Sequence, residues 1–286
     1  MKFSYDIGWL PNYVEYDELF SNFKSSGIDT LAFNFFCLND IDTVLSPDKF
    51  VSNAEQICAA ADRAGVCFNQ SYAPFSLKLC DERLNRFEPA YGTLVRALQF
   101  SAGLRVKQMI CYAIQTPDTM SQTDKNFKLY RSLIPYCEKY GIKIAISSGF
   151  PKYIDSSVLK TPWKTADEYV AFISSFNSPF ITACADLGGS DMDAANELIT
   201  KVGKDKLSAI NFKDPDKYHD VHLPPYFKHA KPEIVRKMLC DMGYEGEFTF
   251  ECPAFVQRYP KVLLSNLFAL FYDIGCYVCG TKEEKR

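Results

Sequence analysis

Eight times along the chain, a short apolar run rich in β-branched and aromatic residues is followed by a turn signal or by a longer amphipathic run. The short runs predict strands at Phe3 to Ile7, Thr30 to Phe36, Val66 to Gln70, Val106 to Tyr112, Ile142 to Ser147, Ile181 to Asp186, Leu207 to Phe212 and Glu247 to Glu251. The longer runs predict helices at Ala54 to Ala64 (with Asn53 as N-cap), Glu82 to Ala102, Asp124 to Tyr140, Thr165 to Ser175, Asp191 to Val202 and Pro232 to Met242. A last helix is expected from about Pro260 to Tyr277. Gly27 suits the C-terminal end of a helix before the second strand. The Thr-Ala-Asp-Glu that opens at Thr165 resembles a capping box, and Pro232 sits where proline is tolerated in a first turn. Strands that alternate with helices pair in parallel. Eight of them within 286 residues, with no linker or break in composition, predict an α/β fold: one (β/α)8 TIM barrel domain over residues 1–286.

Several function classes lose support on the same reading. No Gly-x-Gly-x-x-Gly follows a strand, and no phosphate-cradling GKS or GKT occurs. The formal net charge of −3 supplies no basic face for nucleic acid. No charged leader precedes an apolar core at the N-terminus, and apolar stretches are expected to break before 18 residues, so neither a signal peptide nor a membrane span is expected. Of the eleven cysteines, Cys67, Cys111, Cys137 and Cys184 lie in apolar runs and read as small buried hydrophobes. Cys276 and Cys279 form a lone CxxC, read as two packed thiols at a helix end. A reducing cytoplasm fits these features.

In a TIM barrel, chemistry collects at the C-terminal ends of the strands. Read in order, those ends carry Asp6; Asn34-Phe35-Phe36; Gln70-Ser71-Tyr72; Cys111-Tyr112; Ser147-Ser148-Gly149; Asp186-Leu187-Gly188-Gly189; Asn211-Phe212-Lys213-Asp214; and Glu251-Cys252-Pro253. Asp220-Val221-His222 follows the seventh strand and offers an acid and an imidazole two residues apart. Only three histidines occur, His219, His222 and His229, so any imidazole chemistry must come from this segment.

This order resembles the xylose isomerase-like TIM barrel family, which includes sugar isomerases and epimerases and is distantly related to the endonuclease IV type of apurinic endonuclease. The stretches that carry the resemblance are SYAPF (71–75), GIKIAISSGF (141–150), ADLGGSDMD (185–193), INFKDPDKYHDVHLPP (210–225) and YEGEFTFE (244–251). The resemblance implies a divalent metal, Mn, Mg or Zn, held by four side chains that fall here on Ser147, Asp186, Asn211 and Glu251. Two carboxylates match the pattern. Ser147 stands in place of a glutamate and Asn211 in place of a histidine. Tyr72 and Gly189 replace two further histidines of the family pattern. The metal set carried forward is therefore Asp186, Glu251 and Asn211, weakly binding; a cluster of Asp186, Asp220, His222 and Glu251 is the other arrangement considered.

The resemblance further implies proton abstraction beside a carbonyl, with two opposed acid/base groups. Ser147 cannot abstract a proton unaided, so Glu251 is expected as one base, with His222, Asp220 or Lys213 as the other group. Asn34, Gln70, Tyr72, Tyr112, Ser147, Asn211 and Asp220 are expected to line a carbohydrate pocket. Bland roles stand beside these: a structural ion pair of Glu251 with Lys213 or Arg258, a helix cap at Asp186, and loop hydrogen bonds at Asp220 and His222. Phe35, Phe36, Phe75, Phe150, Trp163 and Phe255 either stack on a sugar or pack in the core. The stripe Leu263, Leu267, Leu270, Phe271 and Ile274 reads as a helix face on the barrel or on a partner. The expected activity is that of a sugar isomerase or epimerase, or else sugar or partner binding without catalysis. An endonuclease is disfavoured by Tyr72, Ser147, Gly189 and Asn211. The partner expected is a small carbohydrate, not nucleic acid or a membrane; a homo-oligomer stays open.

Overall fold

The computed structural model describes residues 1–74, 87–113, 119–149, 153–154, 157–158, 163–188, 192–214 and 222–281. Eight parallel strands close into a barrel: β1 (Lys2–Asp6), β2 (Thr30–Asn34), β3 (Cys67–Tyr72), β4 (Gln108–Cys111), β5 (Lys143–Ser147), β8 (Ile181–Gly188), β9 (Leu207–Lys213) and β10 (Glu247–Phe250). Their order around the barrel is β1-β10-β9-β8-β5-β4-β3-β2. A two-stranded antiparallel piece, β6 (Tyr153–Ile154) with β7 (Ser157–Val158), was not expected; it lies between β5 and the next helix.

Helices Tyr16–Ser25, Phe50–Ala64, Phe87–Gly103, Thr119–Tyr140, Ala166–Ser175, Met192–Val202, Pro232–Met242 and Leu264–Val278 surround the barrel. The main differences from the sequence reading lie at helix starts. Asn53 is not an N-cap: the helix begins at Phe50, and the Asn53 Nδ2 donates to the Val44 carbonyl instead. The helix expected from Asp124 opens at Thr119, while Thr165 caps its helix by accepting from the Glu168 N–H. Gly27 takes φ +94 after the first helix, and a Cβ there would meet the Tyr272 ring at 2.6 Å.

Alternation along the strands separates two cores. Outward residues such as Leu31, Phe33, Phe212 and Phe248 are buried beneath the helices. Inward residues of six strands, Ala32, Tyr72, Ile110, Ala145, Cys184 and Ala209, fill the barrel with mostly small side chains around one tyrosine ring. Small residues here leave room for the larger polar side chains one level higher, at the barrel mouth.

The window Lys261–Val278 is 18 residues long with mean hydropathy 1.3, so one helix among the described residues is long and apolar enough to cross a membrane, contrary to the expectation. It lies on the barrel: Leu264, Leu267, Phe268 and Phe271 are buried, and Phe268 stacks on Phe23 with ring centroids 4.0 Å apart. The expected stripe therefore splits, with Leu267 and Phe271 facing the barrel and Leu263 and Leu270 facing solvent. Cys111, Cys137 and Cys184 are buried as expected; Cys67, at the start of β3, is exposed.

Candidate active site at the barrel mouth

The two-residue period of the strands carries the site. β1 points Ser4 and Asp6 inward, β2 Ala32 and Asn34, β3 Gln70 and Tyr72, β5 Ala145 and Ser147, β8 Cys184 and Asp186, and β9 Ala209, Asn211 and Lys213. Glu251 follows β10 directly, and its N–H donates to the Phe212 carbonyl, which sets it beside the end of β9.

Two groups of contacts result. In the first, the Lys213 Nζ lies 2.9 Å from Asp186 Oδ1 and 2.9 Å from Glu251 Oε2. All three side chains are at most 8% exposed, so the charges meet outside bulk water. His222, about a quarter exposed at 22%, brings its Nδ1 to 3.7 Å from Glu251 Oε1. Of the two cations considered for Glu251, Lys213 is the partner; Arg258 is exposed. Asp186 lies within β8; its backbone N–H donates to Ser148 Oγ.

In the second group, Asn211 Oδ1 accepts from Gln70 Nε2 at 2.9 Å and from the Tyr72 hydroxyl at 3.0 Å, while Gln70 Nε2 also reaches Tyr72 Oη at 3.1 Å. Burial holds the Tyr72 phenol well above its ordinary range, with the Glu251 charge adding to it, so it serves as a hydrogen-bonding group rather than an acid. The same two causes raise the Tyr112 phenol. Among the described residues, Asn34 Oδ1, Ser147 Oγ and Asn211 Nδ2 are buried without a hydrogen-bond partner. A buried polar atom left unpaired is costly, so these three are points at which a ligand hydroxyl would be welcome.

Asp6 belongs to this site and was read only as a strand end. It is fully buried; Asn34 Nδ2 donates to its Oδ2 and the Gly8 N–H to its Oδ1, both at 2.9 Å. Burial, then the Glu251 charge, raise its carboxyl from 3.8 to about 8, against those hydrogen bonds and the Lys213 charge. It therefore carries a proton at neutral pH. The signal was the alternation in Lys2-Phe3-Ser4-Tyr5-Asp6, which turns Ser4 and Asp6 to the same face as Asn34. Asp214, one residue past Lys213, serves the loop: its carboxylate accepts from the N–H groups of Lys228, His229 and Ala230. Asp220, Phe75 and Phe150 lie outside the described residues. The remaining aromatics of the sequence reading do not gather at the site. Phe35 packs on Phe33 and Phe100, Phe255 on Phe227 and Phe271, and Trp163 donates to the Ser148 carbonyl; only Phe36 is exposed.

The donor set does not fit a divalent cation. The ammonium of Lys213 already stands at contact distance from both carboxylates, Asn211 spends its carbonyl oxygen on Gln70 and Tyr72, and Ser147 brings no charge. Among the described residues, no three His, Cys, Asp or Glu side chains stand where they could share a metal.

A closed parallel barrel of eight strands with helices between them is a (β/α)8 TIM barrel, and the ion cluster lies at the C-terminal end of its strands. The family model described as xylose isomerase-like TIM barrel matches residues 20–263, and the chain belongs to that family. Solved structures share the fold at low identity. A D-tagatose 3-epimerase-like protein is 18% identical with TM-score 0.72, covering 98% of this chain and 99% of its own. The 3-keto-D-glucoside 4-epimerase YcjR from E. coli is 15% identical with TM-score 0.67, covering 96% and 99%. The IOLI protein, solved with a binding zinc atom, is 12% identical with TM-score 0.65, covering 99% and 100%. No curated protein matches the sequence.

Proposed function

We propose that this protein is a sugar isomerase- or epimerase-like enzyme that moves a proton beside the carbonyl of a small carbohydrate at the barrel mouth. The observation that carries the reading is the buried Asp186–Lys213–Glu251 cluster inside a ring of inward polar side chains, in a chain of this family. Structural neighbours named as a D-tagatose 3-epimerase-like protein and a D-psicose 3-epimerase support the substrate class. Asn34, Gln70, Tyr72, Tyr112, Ser147 and Asn211 supply neutral hydrogen-bonding atoms suited to a polyol.

In the proposed reaction, Glu251 accepts the proton of the carbon next to the carbonyl. The electron pair of the broken C–H bond moves into the carbon–carbon bond, and the carbonyl oxygen takes the negative charge of an enediolate. Return of a proton to carbon completes the exchange. Asp6, protonated at neutral pH, and His222 are the groups at hand to deliver it. The weak divalent-metal site expected from the resemblance forms no part of this scheme.

Ser147 favours a second reading, a barrel that binds a sugar without turning it over, because the end of β5 carries no titratable group. The test is deuterium exchange from solvent into a panel of ketoses that includes D-fructose, D-tagatose and D-psicose, followed by NMR. Exchange that disappears in Glu251→Gln supports the enzyme. No exchange into any ketose overturns it in favour of the binding barrel. A localisation in the cytoplasm is proposed on the free thiols of the described cysteines.

A further inference from the structure

We infer that the Lys213 ammonium takes the place of a divalent cation in this barrel: it is the resident charge that holds Asp186 and Glu251 together and offsets negative charge on a bound substrate. The inference deepens the proposed function and rests on it for the second half of that statement; the first half stands on geometry alone.

Two carboxylates from the ends of the strands that flank β9, both almost fully buried, need a positive charge between them. A divalent ion would supply it if other oxygen or imidazole donors completed the shell. The other inward side chains of this mouth point the opposite way. Asn211 turns its oxygen to Gln70 and Tyr72 and leaves its Nδ2, a donor, unpartnered among the described residues. Ser147 is neutral. Lys213 is placed by the strand itself: it lies two residues beyond Asn211 on the same inward face of β9, one level nearer the mouth, pairing in register with Gly188 while Asn211 pairs with Asp186. Gly188 has no side chain to stand in its way. Its Nζ lies at the same distance, 2.9 Å, from the two carboxylates, so a single charge serves both. An ammonium is a donor only. It can bond a substrate oxygen that becomes negative, but unlike a metal it cannot gather several ligands into one shell. This suits it to one developing oxyanion rather than to chelation of a diol.

The test begins with the full chain dialysed against a chelator and titrated calorimetrically with Mn²⁺ and, separately, Zn²⁺. Wild type is expected to show no stoichiometric binding and no rise in melting temperature at millimolar Mn²⁺. Lys213→Ala, which opens the space and leaves both carboxylates, is expected to gain an Mn²⁺-dependent rise in melting temperature, because an ion that binds only the folded state stabilises it. Lys213→Gln is the second variant, used if the alanine chain does not fold. Stoichiometric micromolar binding of either metal by wild type overturns the inference. So does the absence of any metal response in whichever variant folds. Should both variants fail to fold, the wild-type titration decides alone. None of these readouts is an activity, so they separate from the ketose exchange: absent exchange sinks the enzyme and leaves the cation assignment standing, whereas exchange that survives the chelator supports both.

Discussion

Asn34 and Asp6 join the ends of β2 and β1 inside the barrel, the Asn34 Nδ2 donating to Asp6 Oδ2 at 2.9 Å. The acid is fully buried and its carboxyl is raised to about 8. In the unfolded chain it titrates near 3.8. Between these values the folded state keeps a proton that the unfolded state releases, so stability falls as pH rises through that window, by at most about 1.4 kcal/mol per pH unit for one group. Asp6→Asn removes the titration, and Asn34, whose Oδ1 lacks a partner, can accept from the new amide by turning its own. Urea unfolding from pH 5 to pH 8 is expected to show a shallower decline for the variant. Equal slopes for the two proteins would mean that Asp6 does not hold its proton.

The sequence was most informative where one physical rule acts alone. Strand alternation and helix periodicity put all eight barrel strands within a few residues of their places, and Pro232–Met242 with both ends in place. The same rule would have found Asp6, since in Lys2-Phe3-Ser4-Tyr5-Asp6 the period of two puts Asp6 on the same face as Ser4. A Glu251 pair with Lys213 or Arg258 was open to the sequence, and Lys213 is the partner; what could not be read was that the same ammonium also reaches Asp186. Lys213 carries its ammonium on a long flexible stem, and whether that charge reaches Asp186, Glu251 or solvent is decided by barrel curvature and by the missing side chain at Gly188. The helix start at Phe50 was hidden for a related reason: Asn53, a good capping residue by type, lies inside the helix, and its Nδ2 donates to the Val44 carbonyl.

Asp214 is a buried carboxylate with three backbone donors, Lys228, His229 and Ala230. It also forms a bridge to Leu223 through its backbone, next to His222. Asp214→Ala leaves those donors without their acceptor and is expected to cost about 3 kcal/mol or more. Asp214→Asn keeps one oxygen and should fall between. Guanidinium unfolding of the three proteins checks the ranking; an alanine variant as stable as wild type would show that the loop finds other acceptors.

Gly275 lies on the buried side of the helix Leu264–Val278, where an added Cβ would meet the Phe3 ring at 2.5 Å. In an exposed helix interior, Gly→Ala is worth about 1 kcal/mol of stability. Overpacking a well-filled interface costs about 1–3 kcal/mol. The clash is expected to win, so Gly275→Ala should lower the melting temperature, and the added change Phe3→Leu should restore part of it. A rise in melting temperature for the single variant would show that the helix can shift away from β1 at little cost.

The cluster at the mouth is asymmetric, and the asymmetry fixes an order of variant stabilities in metal-free buffer. Lys213 stands 2.9 Å from both buried carboxylates, so Lys213→Met takes a close cation from each and is expected to cost about 3–5 kcal/mol. Glu251→Gln or Asp186→Asn leaves the ammonium one carboxylate partner, and each should cost less. Combining Lys213→Met with both amide changes removes all three charges together, and a neutral set of similar volume is expected to recover most of the loss, because desolvation of the ions no longer has to be offset. Chemical denaturation of the four variants tests the order. If Glu251→Gln proves as damaging as Lys213→Met, then Glu251 supports more than this ion pair, and His222, 3.7 Å from its other oxygen, is the contact to remove next.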